Sequence, residues 1–409
     1  MRNFSNKGAG ADALIHNIGT LVSGDHENPI LEADAVLIKD GHIEGIGHYR
    51  ELKTENTGLD IDIRDMTLCP GLIDGHTHPN IGDWTPRIKV MGWMEGALHG
   101  GVTTLISQGE ASFPGRPHDA AGVKALAILA HTVYRSYRPG GIKAHCGSLL
   151  LEEGLTEGDL REMAETGVWL FAEIGLGGLM DFEKISSLVR SARKHRFKIP
   201  VHFGPEAVPG SGALSIQEIV QLNPDILVHF NGGPTACSFS DMREVAERCS
   251  SFLELTCNGN PKALNYAIHL MRDRGELGRL TLGTDSPTGM GIHPLGIIRL
   301  VTQISSLNGI PPALALSMGT GNTARAFGLN TGMVIPGREA DFVVLDAPFG
   351  SQGKTALEAM QLGDHSNMGM VMVDGKVIAR TLRRALNTTK KVLIDGEEDP
   401  KNPLEEMFM

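Results

Sequence analysis

Hydrophobic and polar positions change their rhythm along the chain. From about Ala13 to Asp65, runs such as ALIHNIGTLV and AVLIKDGHIEGIG alternate or carry β-branched residues, which predicts short strands. Lys39-Asp40-Gly41-His42 places Asp-Gly at the tip of a hairpin. The same texture returns near the C-terminus in DFVVLD, Asp341 to Asp346, and in MVMVDGKVIA, Met370 to Ala379. Two strand-rich ends flanking a long middle predict one small β domain built from both ends, residues 1–69 and 332–409, with residues 70–331 inserted between them. The last stretch, Thr381 to Met409, is charged and reads as partly disordered.

The middle repeats strand then helix. Helices are predicted over Asp119 to Tyr134, Thr156 to Thr166, Asp181 to Lys194, Asp241 to Arg248 and Lys262 to Arg274, several opening on a capping Asp or Thr. Apolar runs that stop at turn residues are TTLIS, GIKAH, VWLFAE, KIPVHF, ILVHF, FLELTC and LTLGTD. Their ends set a ruler. From His145 through Glu173, His202, His229 and Cys257 to Asp285 the steps are 28, 29, 27, 28 and 28 residues. A barrel of eight βα units in about 250 residues needs about 31 per unit, and residues 70–331 are of that size. A doubly wound sheet also repeats βα units, so alternation alone leaves both open.

Composition narrows the classes. The 409 residues suit one large domain with a smaller one. A net charge of −11 with no basic stripe argues against nucleic acid. Five cysteines at irregular spacing, without C-x-x-C, indicate neither a disulfide framework nor a thiolate zinc site and suit a reducing cytoplasm. No apolar run is long enough to predict a membrane span, and the N-terminus lacks a signal-peptide core.

Against that background CPGLIDGHTHPN stands out. On a strand, residues two apart share a face, so His76 and His78 would aim both imidazoles into one space. A lone His-x-His is a weak signal. The ruler strengthens it, because Glu173, His202, His229 and Asp285 all fall at predicted strand ends, and barrel strands converge there on one mouth. Four imidazoles and two carboxylates suit zinc, iron or manganese.

These residues, together with MGTGNTARAFGLNTGMVIPGREADFVVLD, make the chain resemble the amidohydrolase superfamily. ALHGGVTTLIS, FPGRPHDAAGVKALAI, RPGGIKAHCG, LEEGLTE, HFNGGPTA, DSPTGMGIHPLGI and GTGNTA are similar to its enamidase branch. The resemblance implies a (β/α)8 TIM-like barrel with a small β-sandwich domain formed by both chain ends. It implies two divalent ions, zinc or zinc plus iron. His76, His78 and Asp285 would hold one ion, His202 and His229 the other, and Glu173 would span both in place of a carboxylated lysine. The activity implied is hydrolysis of the C–N bond of a cyclic amide by a metal-bridging hydroxide, with Asp285 as proton shuttle. A small cyclic amide, carboxylate-bearing, would be the substrate, and a homo-oligomer such as a tetramer the assembly.

Substrate contacts are read from position. Arg116, in the loop after the second strand, would grip a carboxylate at the mouth or lie at the surface. Lys143 and His145 share a face of the third strand and would either meet substrate or form a buried polar pair in the barrel layers. Two other enzyme readings compete: a one-metal deaminase, which needs no bridging carboxylate, and a dihydroorotase- or hydantoinase-like hydrolase of cyclic ureides. A non-enzymatic interaction protein of this fold would be expected to lack some of the six ligands.

Overall fold

The computed structural model describes residues 11–79, 92–109, 115–206, 212–287, 291–380 and 388–398. Much of the charged C-terminal stretch, Thr381 to Met409, lies outside them.

Among the described residues, seven parallel strands form the middle of the chain. Leu72–Thr77 pairs with Val102–Ser107, which pairs with Lys143–His145. Pro200–His202, Ile226–Val228, Phe252–Thr256 and Leu280–Gly283 form a second parallel set in that order. Isolated bridges join the sets. Leu149 meets Phe171, Leu170 meets Lys198, Ile174 meets Val201, and Thr77 meets Ser286. Residues 170–174 thus occupy the gap between the sets, and the pairing returns to the strand where it began.

Helices lie between these strands. Those over Ala120–Ser136, Glu157–Glu165 and Phe182–Lys194 start one residue after their caps, Asp119, Thr156 and Asp181. The helix predicted from Asp241 starts earlier, at Phe239, because the Ser238 side chain accepts a hydrogen bond from Asp241 N. Ile216–Leu222 and Gly296–Asn308 are further helices that the apolar pattern did not single out. In Phe182–Lys194 the buried Ile185, Leu188, Val189 and Ala192 recur at three- and four-residue steps, placing one apolar face against the strands.

The two ends of the chain share two six-stranded sheets. One holds Ala13–His16, Ala35–Lys39, His42–Gly47 and Leu59–Asp62 with Leu393–Ile394 and Glu397–Glu398. The other holds Thr20–Val22, Ile30–Leu31 and Thr67–Pro70 with Phe342–Asp346, Asn367–Val373 and Lys376–Ala379. Ile15, Val36, Ile61, Leu68, Phe342, Val344 and Met370 belong to one buried apolar cluster. Both expected Asp-Gly tips form, with positive φ at Asp40 and Gly41 and at Asp374 and Gly375. Two features depart from the strand pattern at the C-terminal end. Ala356–Leu362 is a helix, capped by Thr355 and packed through Ala356 and Met360 into the larger core. Within the charged tail, Leu393–Ile394 is a strand antiparallel to Leu59–Asp62.

Candidate metal centre

His76 lies on the strand Leu72–Thr77 and His78 just past it. Their Nε2 atoms are 3.1 Å apart. Asp285 Oδ1 lies 3.0 Å from His78 Nε2 and 3.6 Å from His76 Nε2. Glu173 reaches both ways. Its Oε1 is 2.9 Å from His76 Nε2, while its Oε2 is 3.0 Å from His229 Nε2 and 3.1 Å from His202 Nδ1. The donor atoms form two groups, His76 with His78 and Asp285, and Glu173 with His202 and His229. All six residues named from the ruler and the His-x-His therefore meet.

The rings are aimed by their outer nitrogens. His76 Nδ1 donates to Glu254 Oε2 at 2.7 Å, His78 Nδ1 to Gly109 O at 2.6 Å, and His229 Nδ1 to Phe203 O at 3.2 Å. Each such bond leaves the Nε2 lone pair facing the cluster, the tautomer a metal requires. His229 and Asp285 sit at φ +37° and +56°, left-handed backbone that is unusual for these residues. Local bonds hold them there: His229 N donates to Glu254 Oε2, Asp285 N to His76 O, and Asn258 Nδ2 to Asp285 O.

The electrostatics call for positive charge. Burial would raise the carboxyl pKa of Glu173, but His76, His202 and His229 hold it well below the ordinary value. Burial acts in the same sense on Asp285, and His76 and His78 outweigh it. Burial alone would lower His76, yet Glu254, Glu173 and Asp285 raise it well above the usual range. His78 is likewise carried to about 9, chiefly by Asp285 against burial. Cations would supply this charge in place of ring protons. His202 Nε2 is buried and has no hydrogen-bond partner among the described residues. His202 turns its other nitrogen, Nδ1, to Glu173 at 3.1 Å, and that atom together with the converging Nε2 atoms of His76, His78 and His229 fits metal ligation.

The other named residues divide. Arg116 lines a cleft with Pro79, Gly109, Ser148 and Leu150, and the Gly109 carbonyl of that cleft is the one that accepts from His78 Nδ1. Its guanidinium is paired with Glu152 and donates to Pro117 O at 3.0 Å. Lys143 is corrected. It opens its strand, at the end away from the one that leads to the ligands, and its Nζ lies 2.5, 2.6 and 2.8 Å from Glu339, Asp341 and Asp374. A lysine held by three carboxylates of the C-terminal part of the chain has no donor turned to a substrate. His145, half-buried at the other end of that strand, meets Trp169 edge-on at 5.8 Å, and burial and then Lys143 lower its pKa to about 4.

Three supporting residues were not singled out: Asp74, Glu254 and Asn258. Asp74 accepts from His76 N, Thr284 N and Thr284 Oγ1. Burial pushes its pKa up to about 7. The available signal was a charge inside an apolar run, as in GLIDGH and FLELTC.

The fold and this cluster together define a hydrolase of a known kind. The chain belongs to the amidohydrolase family, whose model matches residues 232–378. It is 42% identical to the enamidase of Eubacterium barkeri over 370 residues, 90% of this chain and 96% of that one. The crystal structure of enamidase, described as a member of the amidohydrolase superfamily, matches with a TM-score of 0.91 at 41% identity, covering 93% of this chain and 99% of that one. An adenine deaminase of Oceanobacillus iheyensis is 26% identical over 76% of this chain and half of its own length.

Proposed function

We propose that this amidohydrolase opens a cyclic amide, an enamide or lactam, by hydrolysing its C–N bond at a centre of two divalent cations. The carrying observation is Glu173, which gives one oxygen to each group of ligands and so needs no modified lysine to span them. His76, His78 and Asp285 would hold one cation, and His202 and His229 the other. Zinc, or zinc with iron, suits this nitrogen-rich set. Such ions, when bound, acidify a water and polarise the amide carbonyl.

The chain's own residues then manage protons and position. Asp285, held at low pKa and set at the end of its strand, accepts a proton from the attacking water and returns it to the leaving nitrogen. Arg116, in the cleft beside His78, orients a substrate carboxylate when it exchanges Glu152 for the ligand. The ring of parallel strands is read as a (β/α)8 barrel of residues 70–331, and the two sheets as a β-sandwich of residues 1–69 and 332–409. Five free cysteines suit a cytoplasmic enzyme. Among the described residues, no helix is long and apolar enough to cross a membrane. A homo-oligomer completes the reading.

A panel of enamides, lactams, imides, cyclic ureides and adenine tests it, with ring opening followed by absorbance and ammonia assayed separately. Consumption of an enamide or lactam, with adenine untouched, is expected. Ammonia release from adenine without ring opening would instead establish the deaminase reading, and turnover of ureides alone the hydantoinase-like one.

A further inference from the structure

The strand Phe252–Thr256 lies between the strands that lead to His229 and Asp285, yet it supplies none of the six ligands. In its middle stands Glu254, 1% exposed. One oxygen, Oε2, takes a hydrogen bond from His76 Nδ1 at 2.7 Å and another from His229 N at 3.1 Å. His76 belongs to the first ligand group and His229 to the second. The other oxygen, Oε1, is buried and has no hydrogen-bond partner among the described residues. A carboxylate buried with one bare oxygen is unfavourable for folding, so packing alone does not explain it.

The neighbouring strand makes room for this contact. A Cβ on Gly283 would lie 2.6 Å from Glu254 Oε1 and 2.5 Å from His76 Cβ. Any larger side chain there would force His76, Glu254 or both to shift. Gly283 is two residues before Asp285, so the same short segment leaves space for the support and delivers a ligand.

We propose that Glu254 is a positioning residue of the metal centre, a single carboxylate that ties the two ligand groups together through the His76 ring and the His229 backbone. The inference rests on the two-cation reading above and deepens it. By accepting from Nδ1, Glu254 fixes the His76 tautomer and makes Nε2 a stronger donor towards a cation. By accepting from His229 N, it holds that residue in its left-handed conformation and so keeps the ring beside Glu173.

Cobalt(II) is the probe. Chelator-stripped wild-type chain, Glu254→Gln, Glu254→Ala and Gly283→Ala are titrated with the ion. Affinity is read by calorimetry, ligand geometry by the visible absorption of bound cobalt, and folding by the thermal midpoint of each stripped protein. Glu254→Gln keeps an acceptor of the same shape and loses the charge, so cobalt affinity falls about 10-fold. Glu254→Ala removes both contacts and costs up to about 100-fold, with an altered cobalt spectrum. Gly283→Ala shifts the spectrum in the same direction. Wild-type affinity and spectrum in both Glu254 variants, whatever their thermal midpoints, would overturn the inference and leave Glu254 a packing residue. Should Glu254→Ala fail to fold, the isosteric Gln variant decides. No cobalt binding by the wild-type chain would overturn the cation reading and this inference with it.

Discussion

The strands Lys143–His145 and Phe252–Thr256 supply none of the six clustered ligands, and each carries a buried charged side chain. Lys143 meets Glu339, Asp341 and Asp374 from the far end of the chain, whereas Glu254 meets His76 and the His229 backbone. One strand's polarity fastens the parallel ring to the C-terminal segment; the other's fastens the ligand cluster. The difference follows from height along the strand. Lys143 is the first residue of its strand, and Glu254 lies two residues in, level with His76 and Gly283. Polar residues near the ligands should therefore govern cations and turnover, and those at the Lys143 end should govern stability.

The largest expected effect is on the ligand side. Asp285→Asn should lower kcat by about 10²- to 10⁴-fold, the range for losing a proton shuttle, while the thermal midpoint holds. Steady-state kinetics beside a melting curve would check it, and full activity would remove Asp285 from the proton path.

Lys143→Met should act in the opposite sense. Asp341, 2% exposed, would keep its carboxylate without a counter-charge, a loss of about 3 kcal/mol in denaturant unfolding. Cobalt affinity should stay within about twofold of wild type, given the separation of the two clusters. A fall in cobalt affinity at unchanged stability would erase the distinction between the strands.

A smaller effect is expected at Arg116. Lysine lacks the paired donors of a guanidinium. Arg116→Lys should thus raise KM about 10-fold for a carboxylate-bearing amide, the size of one charge-assisted hydrogen bond. KM for an uncharged analogue should not move, and an equal rise for both substrates would deny Arg116 the carboxylate.

The smallest expected effect is the pH response of His145. Burial, then Lys143, with His131 and Arg138 against Glu339, lower its pKa from 6.5 to about 4. Folding favours the neutral ring, so its contribution is whole above pH 6.5 and is lost as pH falls towards 4. Wild type should lose thermal stability relative to His145→Gln between pH 7 and 5, as melting curves at both values would record. A constant difference would mean that the ring does not titrate in this way.

Much of the site was legible because two periods are physical. Alternation along a strand put His76 and His78 on one side, and the length of a βα unit put Glu173, His202, His229 and Asp285 at strand ends. What stayed hidden depends on contacts across the fold. Lys143 looked like a candidate for substrate because its partners lie 196 and 231 residues away at Glu339 and Asp374. Glu254 looked like an interruption in FLELTC because its meaning lies in the His76 ring, 178 residues earlier. The left-handed turns at His229 and Asp285 leave no mark in hydropathy, since neither residue is glycine. The helix Ala356–Leu362 was missed because it interrupts a strand-rich end to cover the helix Gly296–Asn308.

The most direct test of the two-cation centre is the activity regained as chelator-stripped protein is titrated with zinc. Ring-opening activity should rise until about two equivalents per chain have been added and then level off, because Glu173 divides the ligands into two groups. A plateau at one equivalent, or full activity with none, would contradict it.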